Sequence, residues 1–193
     1  MMAKATLLSA IAATNRGLLA SQTDKQNILN AIASLENLNP TPHPVESHLI
    51  NGDWRLLYTT SEGLLNLTKI PFYQLGQIYQ CIRTLSNSVY NIAEFSGLPF
   101  TESIVSVAAK FDVVSTERVN VKFERSIIGF TSLIGYKSPG SFIQEIESSK
   151  KFTAIDLPIN RQRQDAWLDI TYLDEDLRIS RGNQGSIFVL TKI

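Results

Sequence analysis

A chain of 193 residues is long enough for one domain with a real core and a short extra layer. Lys+Arg and Asp+Glu both total 18, so the formal charge is zero, which excludes binding by blanket attraction to nucleic acid or anionic membrane. Hydrophobic residues at 44% and charged residues at 19% exclude a disordered chain, and so light a charge suits a protein that works against a partner or a lipid surface.

Residues 3–19 and 24–38 are expected to form two amphipathic helices. Leu7, Leu8, Ile11, Ala12 and Leu18 recur at helical spacing in the first; Ile28, Leu29, Ile32, Ala33 and Leu35 make the stripe of the second. Thr23 and Gln26 are placed to form a capping box. Pro40, Pro42 and Pro44 then stop any helix, so residues 39–50 form a stiff connector. From residue 51 the period becomes two. Strands are expected over Trp54 to Thr59, Gln77 to Arg83, Val89 to Phe95, Val105 to Phe111, Glu117 to Arg125, Ala166 to Leu173, Leu177 to Arg181 and Ser186 to Thr191. Asp174-Glu175-Asp176 and Gly182-Asn183-Gln184-Gly185 read as tight turns. About eight strands joined mostly by hairpins predict an antiparallel meander closed into a β-barrel, because closure removes exposed edges. The whole is mainly β, one domain over residues 1–193, with helices in front.

Two stretches depart from the meander. Ser61 to Pro71, with Leu64, Leu65 and Leu67, reads as a short helix across a barrel end. Residues 127–146 form a long apolar insertion, with Phe130, Leu133, Ile134, Tyr136 and Phe142. Three readings are open for it: outer core, a lid over an open end, or contact with a membrane surface. Lys150, Lys151, Arg161 and Arg163 could assist attachment to anionic lipid, or be solvated loop charges. No window reaches the ~20 apolar residues of a membrane span.

Trp54, two residues into the first strand after Gly52, is placed to plug one end of a small barrel. An arginine from the last strands is expected to cover it by a cation–π contact. If Leu177 and Ile179 point inward, alternation puts Arg181 on the same face and Arg178 outward, so Arg181 is the expected cap. Leu56, Tyr58, Val107, Val121, Phe123, Leu168, Ile170 and Phe188 are the expected inward residues. They either line a cavity for one small ligand or simply fill the core.

Several stretches occur in a telling order. They are Asn15-Arg16-Gly17, Leu35-Glu36 followed by Asn39-Pro40, the run from Gly52 through Trp54-Arg55-Leu56-Leu57-Tyr58 to Ser61, the run from Tyr172 to Gly182, and Phe188-Val189-Leu190. Together they resemble the PAP/fibrillin family, the plastid lipid-associated proteins of chloroplasts and cyanobacteria. The resemblance implies a lipocalin-like barrel concerned with prenylquinones, carotenoids or acyl lipids, with no catalytic set to transfer. It begins almost at Met1, leaving no room for a plastid transit peptide, which favours a cyanobacterial protein in the cytoplasm or on the thylakoid. A trimmed plant chain of the stroma or plastoglobule is the other option.

Catalytic and metal chemistry find little footing. His43 and His48 are the only histidines, with no nearby cysteine, and make a poor metal site. Asp174, Glu175 and Asp176 could hold a cation but sit where a turn is required. Cys81, the single cysteine, reads as a small packed side chain. The chain is therefore expected to be a non-enzymatic carrier of an apolar isoprenoid or lipid at the photosynthetic membrane, with no cofactor, no metal and no nucleic-acid partner. A scaffold for prenylquinone or pigment-synthesis enzymes is the second reading, and an enzyme acting on a bound tetrapyrrole, as in bilin lyases, the third.

Overall fold

The computed structural model describes residues 2–69, 72–97, 100–159 and 166–193. Two helices lead, α1 (Met2–Ala12) and α2 (Gln22–Glu36). α1 stops well before Leu18, because Asn15 and Arg16 take φ of 44° and 60°, a left-handed backbone that no α-helix continues through. Gly17 follows at φ +106°, and a Cβ there would stand 2.5 Å from the Thr59 carbonyl oxygen. Only glycine fits. This turn presses the chain onto β1 (Gly52–Thr59), where the Thr59 amide donates to the Arg16 carbonyl at 3.1 Å. α2 starts earlier than expected. Its cap is Ser21 and not Thr23: the Ser21 hydroxyl accepts from the Asp24 amide, and the Asp24 carboxylate accepts from the Ser21 amide. The charged partner suits the positive end of the helix better than Gln26 would.

The remaining strands are β2 (Gln74–Arg83), β3 (Ser88–Ser96), β4 (Ser103–Val113), β5 (Arg118–Phe130), β6 (Ile155–Pro158), β7 (Ala166–Leu173), β8 (Leu177–Gly182) and β9 (Ile187–Lys192). All pairings are antiparallel. β1 pairs with both β2 and β9, and β4 pairs with β5, so the order β1–β2–β3–β4–β5–β7–β8–β9 closes on itself. β6 lies outside this circuit, paired with the second half of β5 while β7 takes the first half. The eight expected strands are all present. β6 escaped because its 4 residues, Ile155-Asp156-Leu157-Pro158, are too few to show a period.

Between β1 and β2, α3 (Glu62–Leu65) and a 3-10 turn (Asn66–Lys69) cross the ring where a helix was expected, and Leu64 and Leu67 pack onto the interior. Ile70 and Pro71 lie outside the described residues. The apolar insertion resolves into three parts. β5 absorbs it as far as Phe130, then come α4 (Thr131–Ile134) and α5 (Pro139–Glu147), whose Ile134, Phe142, Ile143 and Ile146 pack with Cys81, Ile92, Ile104 and Ile127 on the outer side of the sheet. A second outer cluster joins Leu7, Ile28, Ile32 and Leu35 of α1 and α2 to Tyr58, Tyr172, Leu177, Ile179 and Val189. The ring interior is a third, with Trp54, Leu56, Ile82, Val89, Ile170 and Leu190. Much of the sheet is therefore dry on both faces.

α1 is tied to the β7–β8 turn by Lys4, which donates to Asp174 at 2.8 Å and also reaches Asp176. Burial alone would raise the Asp174 carboxyl, but Lys4, the Tyr172 hydroxyl and the amides of Asp176 and Leu177 all donate to it and hold it well below the usual carboxylate range. A carboxyl shifted this way stabilises the fold fully above its unfolded pKa, near about 4, and that stability is lost as pH falls through the folded value. Asp174→Asn should therefore lower stability at pH 7 by about 1–2 kcal/mol, with the gap from wild type closing as urea melts are repeated below about pH 4.

Candidate ligand cavity

Trp54 closes one end of the ring. It is fully buried, and its indole N–H donates to the Ile50 carbonyl at 2.9 Å. Two cations attend its ring: the Arg178 guanidinium at 4.9 Å and the Lys192 ammonium at 5.1 Å from the centroid. Lys192 is held there by donating to the Leu49 carbonyl at 2.7 Å.

The expected cap was Arg181, and the structure corrects it. Arg181 faces outward, where Nε and Nη2 make a two-pronged ion pair with Glu36 at 2.8 Å each. Arg178 is the cap, with 0% exposure. The inversion has one cause: Leu177 and Ile179 pack against α1 and α2, not the interior. Their apolar character reports a second dry face, and alternation then carries Arg178 and Ser180 inward.

Above Trp54 the ring holds a cavity of about 650 Å³, within the range of roughly 300–1,000 Å³ typical of small-molecule sites. It runs from Val45 and Ile50 at the Trp54 end to Ser61, Leu64, Asn183 and Ser186 at the other. Of the residues expected to point inward, Val107, Val121, Phe123, Leu168, Ile170 and Phe188 line it. Leu56 is inside but packed into the core below the cavity wall. Tyr58 is outside. A β-bulge between Leu56 and Tyr58 breaks the alternation and turns Tyr58 toward α1 and α2. β7 carries a matching irregularity between Ile170 and Tyr172, which sends Ile170 in and Tyr172 out. The polar lining was missed by sequence reading: Arg178, Gln80 and Asn91 form a chain in which Arg178 donates to Gln80 and Gln80 donates to Asn91 at 3.0 Å. Gln80↔Asn91 is a cross-strand pair, visible only once β2 and β3 are in register.

The four residues singled out in the apolar insertion separate. Ile134 is buried under α5, and Tyr136 is half-buried with its hydroxyl donating to Glu94 at 2.8 Å. Burial, reinforced by Glu94, pushes the Tyr136 phenol far up, so it stays neutral. Phe130 and Leu133 remain exposed, at 41% and 61%. They stand at the end of the ring away from Trp54, beside loops that carry Phe72 and Phe100, 87% and 90% exposed. These loops adjoin one another: the Thr131 amide donates to the Glu102 carbonyl at 2.8 Å, and a Cβ on Gly97 would stand 2.9 Å from the Phe72 carbonyl oxygen. Phe72 and Phe100 had no sequence signal, being aromatics in loops with no period around them.

Asp174 to Asp176 make a hairpin turn engaged by Lys4, and no group of three or more metal-ligating side chains occurs among the described residues. Burial first, then the neighbouring Asp53, pushes the Cys81 thiol up, away from reactivity. Lys150 pairs with Glu145 at 2.8 Å, while Arg161 and Arg163 lie outside the described residues. No described helix is long and apolar enough to cross a membrane.

A closed antiparallel ring with a mostly apolar internal cavity is the architecture of a protein that can sequester a hydrophobic molecule. The chain belongs to the PAP_fibrillin family, whose model matches residues 1–191. It is 38% identical to a chromoplast-specific carotenoid-associated protein of Cucumis sativus, over 98% of this chain and 67% of that one. It is 37% identical to a light-induced chloroplastic protein of Solanum tuberosum, over 98% and 66%, and 35% identical to a plastid-lipid-associated protein of Citrus unshiu, over 98% and 67%. The chain thus spans about two thirds of the length of these relatives. No solved structure gives a significant match.

Val107 is half-buried and lines the cavity from β4. Val107→Trp should project an indole into that space, weaken uptake of a neutral fluorescent probe such as Nile red, and change stability by less than about 2 kcal/mol, as read by probe titration and urea denaturation of the same sample.

Proposed function

We propose that this chain is a non-enzymatic carrier for an apolar isoprenoid or lipid, of the prenylquinone, carotenoid or acyl-lipid kind, at the surface of the photosynthetic membrane. Residues 1–193 act as one domain in this reading. The observation that carries it is the cavity of about 650 Å³ walled by Val107, Val121, Phe123, Leu168 and Phe188 inside a closed ring. Each CH₂ removed from water contributes about 0.8 kcal/mol, so a partly inserted hydrocarbon tail reaches micromolar affinity after association costs. The relatives' own names, carotenoid-associated and plastid-lipid-associated, support a hydrophobic cargo. Mass spectrometry of an organic extract of the purified protein should recover such a molecule; repeated extracts with none, together with no uptake of Nile red, would sink the carrier reading.

Delivery is assigned to the rim. Phe72, Phe100, Phe130 and Leu133 crown the end away from Trp54, where Ser61 and Leu64 border the cavity. With zero net charge, membrane contact must come from such local apolar surface. Flotation with neutral galactolipid vesicles should fall roughly five-fold or more in the combined Phe72→Asp, Phe100→Asp and Phe130→Asp protein, with little dependence on salt. Unchanged flotation would remove the membrane role and leave the carrier role standing. A scaffold role is favoured by a different observation: β6 pairs only with β5 among the described residues and exposes Ile155 and Leu157 beside an unpaired edge.

A further inference from the structure

The polar lining at the Trp54 end of the cavity carries a charge with no counter-ion among the described residues. Arg178 is wholly buried, lines the cavity and makes no ion pair with any Asp or Glu among the described residues. Of its three guanidinium nitrogens only Nη2 is used, donating to the Gln80 side-chain carbonyl; Nε and Nη1 have no partner. The neighbouring Ser180 hydroxyl, also on the inner face of β8, is unpartnered too. Lys192 adds a second cation across Trp54. Burial pushes Arg178 down only to about 9, so it remains a cation at neutral pH.

A buried charge with idle donors is costly, and folded proteins normally supply its counter-charge. Here the described residues supply a neutral amide. A guanidinium presents two forks, Nε with Nη2 and Nη1 with Nη2, each matched to the two oxygens of a carboxylate. Gln80 occupies the nitrogen common to both forks, and with a single oxygen completes neither. It is half-buried, lines the cavity, and is itself engaged by Asn91. An acid that displaces the Gln80 carbonyl gains a complete fork, while its tail lies along Val107, Val121, Phe123 and Phe188 toward the end bordered by Ser61 and Leu64.

We infer that the cavity is built for an amphiphile with a carboxylate head, which enters head-first and pairs with Arg178 at the floor. This rests on the carrier reading and narrows it, since a wholly neutral cargo would leave Arg178 unpaired. Retinoid-like or fatty acids satisfy the geometry equally; the shared chemistry is one carboxylate on one extended apolar chain.

The test compares oleate, methyl oleate and oleyl alcohol as displacers of Nile red from the intact protein. Oleate should bind at least ten-fold more tightly than either neutral analogue. Two variants separate head recognition from folding. Arg178→Met removes the charge while filling its volume, and Gln80→Glu keeps Arg178 and Trp54 but supplies an internal carboxylate that competes with the ligand's. Both should lose the preference for the acid, read within each variant as the ratio of oleate to oleyl alcohol needed to displace Nile red, whatever that variant's own affinity for the probe. Equal binding of all three compounds by wild type overturns the inference and leaves the carrier reading intact. Retention of the acid preference in Arg178→Met overturns the assignment to Arg178. Failure of Nile red and all three compounds to bind overturns both readings. Should Arg178→Met fail to fold, Gln80→Glu and the wild-type ratio still decide.

Discussion

The pairing of the first strand with the last holds the molecule together. β1 has β2 on one edge and β9 on the other, and with β4 joined to β5 every strand of the ring has two neighbours. Backbone N–H and C=O groups that would otherwise face water or invite aggregation are satisfied internally. Closure also creates an inside. Trp54, near the start of β1, meets Arg178 of β8 and Lys192 of β9 because β9 lies between β1 and β8 in the circuit. The closed end, the cavity above it and the buried cation on its floor all follow from that pairing.

The second constraint is the helical layer. α1 and α2 need an apolar surface to cover, and the outer face of β1, β7, β8 and β9 provides it. The stretches that carry the family resemblance turn out to be mostly the fittings of this layer. Arg16 and Gly17 lock the exit of α1 to β1, and Arg16 also donates to the Leu75 carbonyl of β2. Glu36 pairs with Arg181 and accepts from Thr171. Asn39 accepts from the Leu173 amide, and Thr41 donates to the Leu173 carbonyl. Recognition of the family therefore rests on how helices are fastened to the ring, while the cavity wall is made of interchangeable aliphatic and aromatic residues.

Electrostatics divides along the same lines. The zero net charge describes a surface of mutually paired ions such as Arg118–Asp169 and Arg125–Asp156. It conceals a locally positive site at Arg178 and Lys192, where desolvation lowers both basic groups and no carboxylate among the described residues pairs with them.

The lightly charged, apolar composition set the class, and period-two alternation, clearest over residues 117–125, together with β-rich composition located the eight ring strands. The proline connector, the crossing helix at Leu64 and the plug at Trp54 were legible for local reasons: fixed φ, helical spacing, and a bulky aromatic beside a glycine turn. What the sequence could not assign was sidedness. Leu177, Ile179 and Tyr58 look like interior residues, and they are buried, but in the outer helical layer. Hydrophobicity tells wet from dry and cannot tell one dry face from another. Two bulges and the docking of α1 and α2 decided that question, and in deciding it they turned Arg178 inward and Arg181 outward. The neutral composition was fixed by the residues alone; that Arg178 is the charge buried within it was settled only by the register of closed strands.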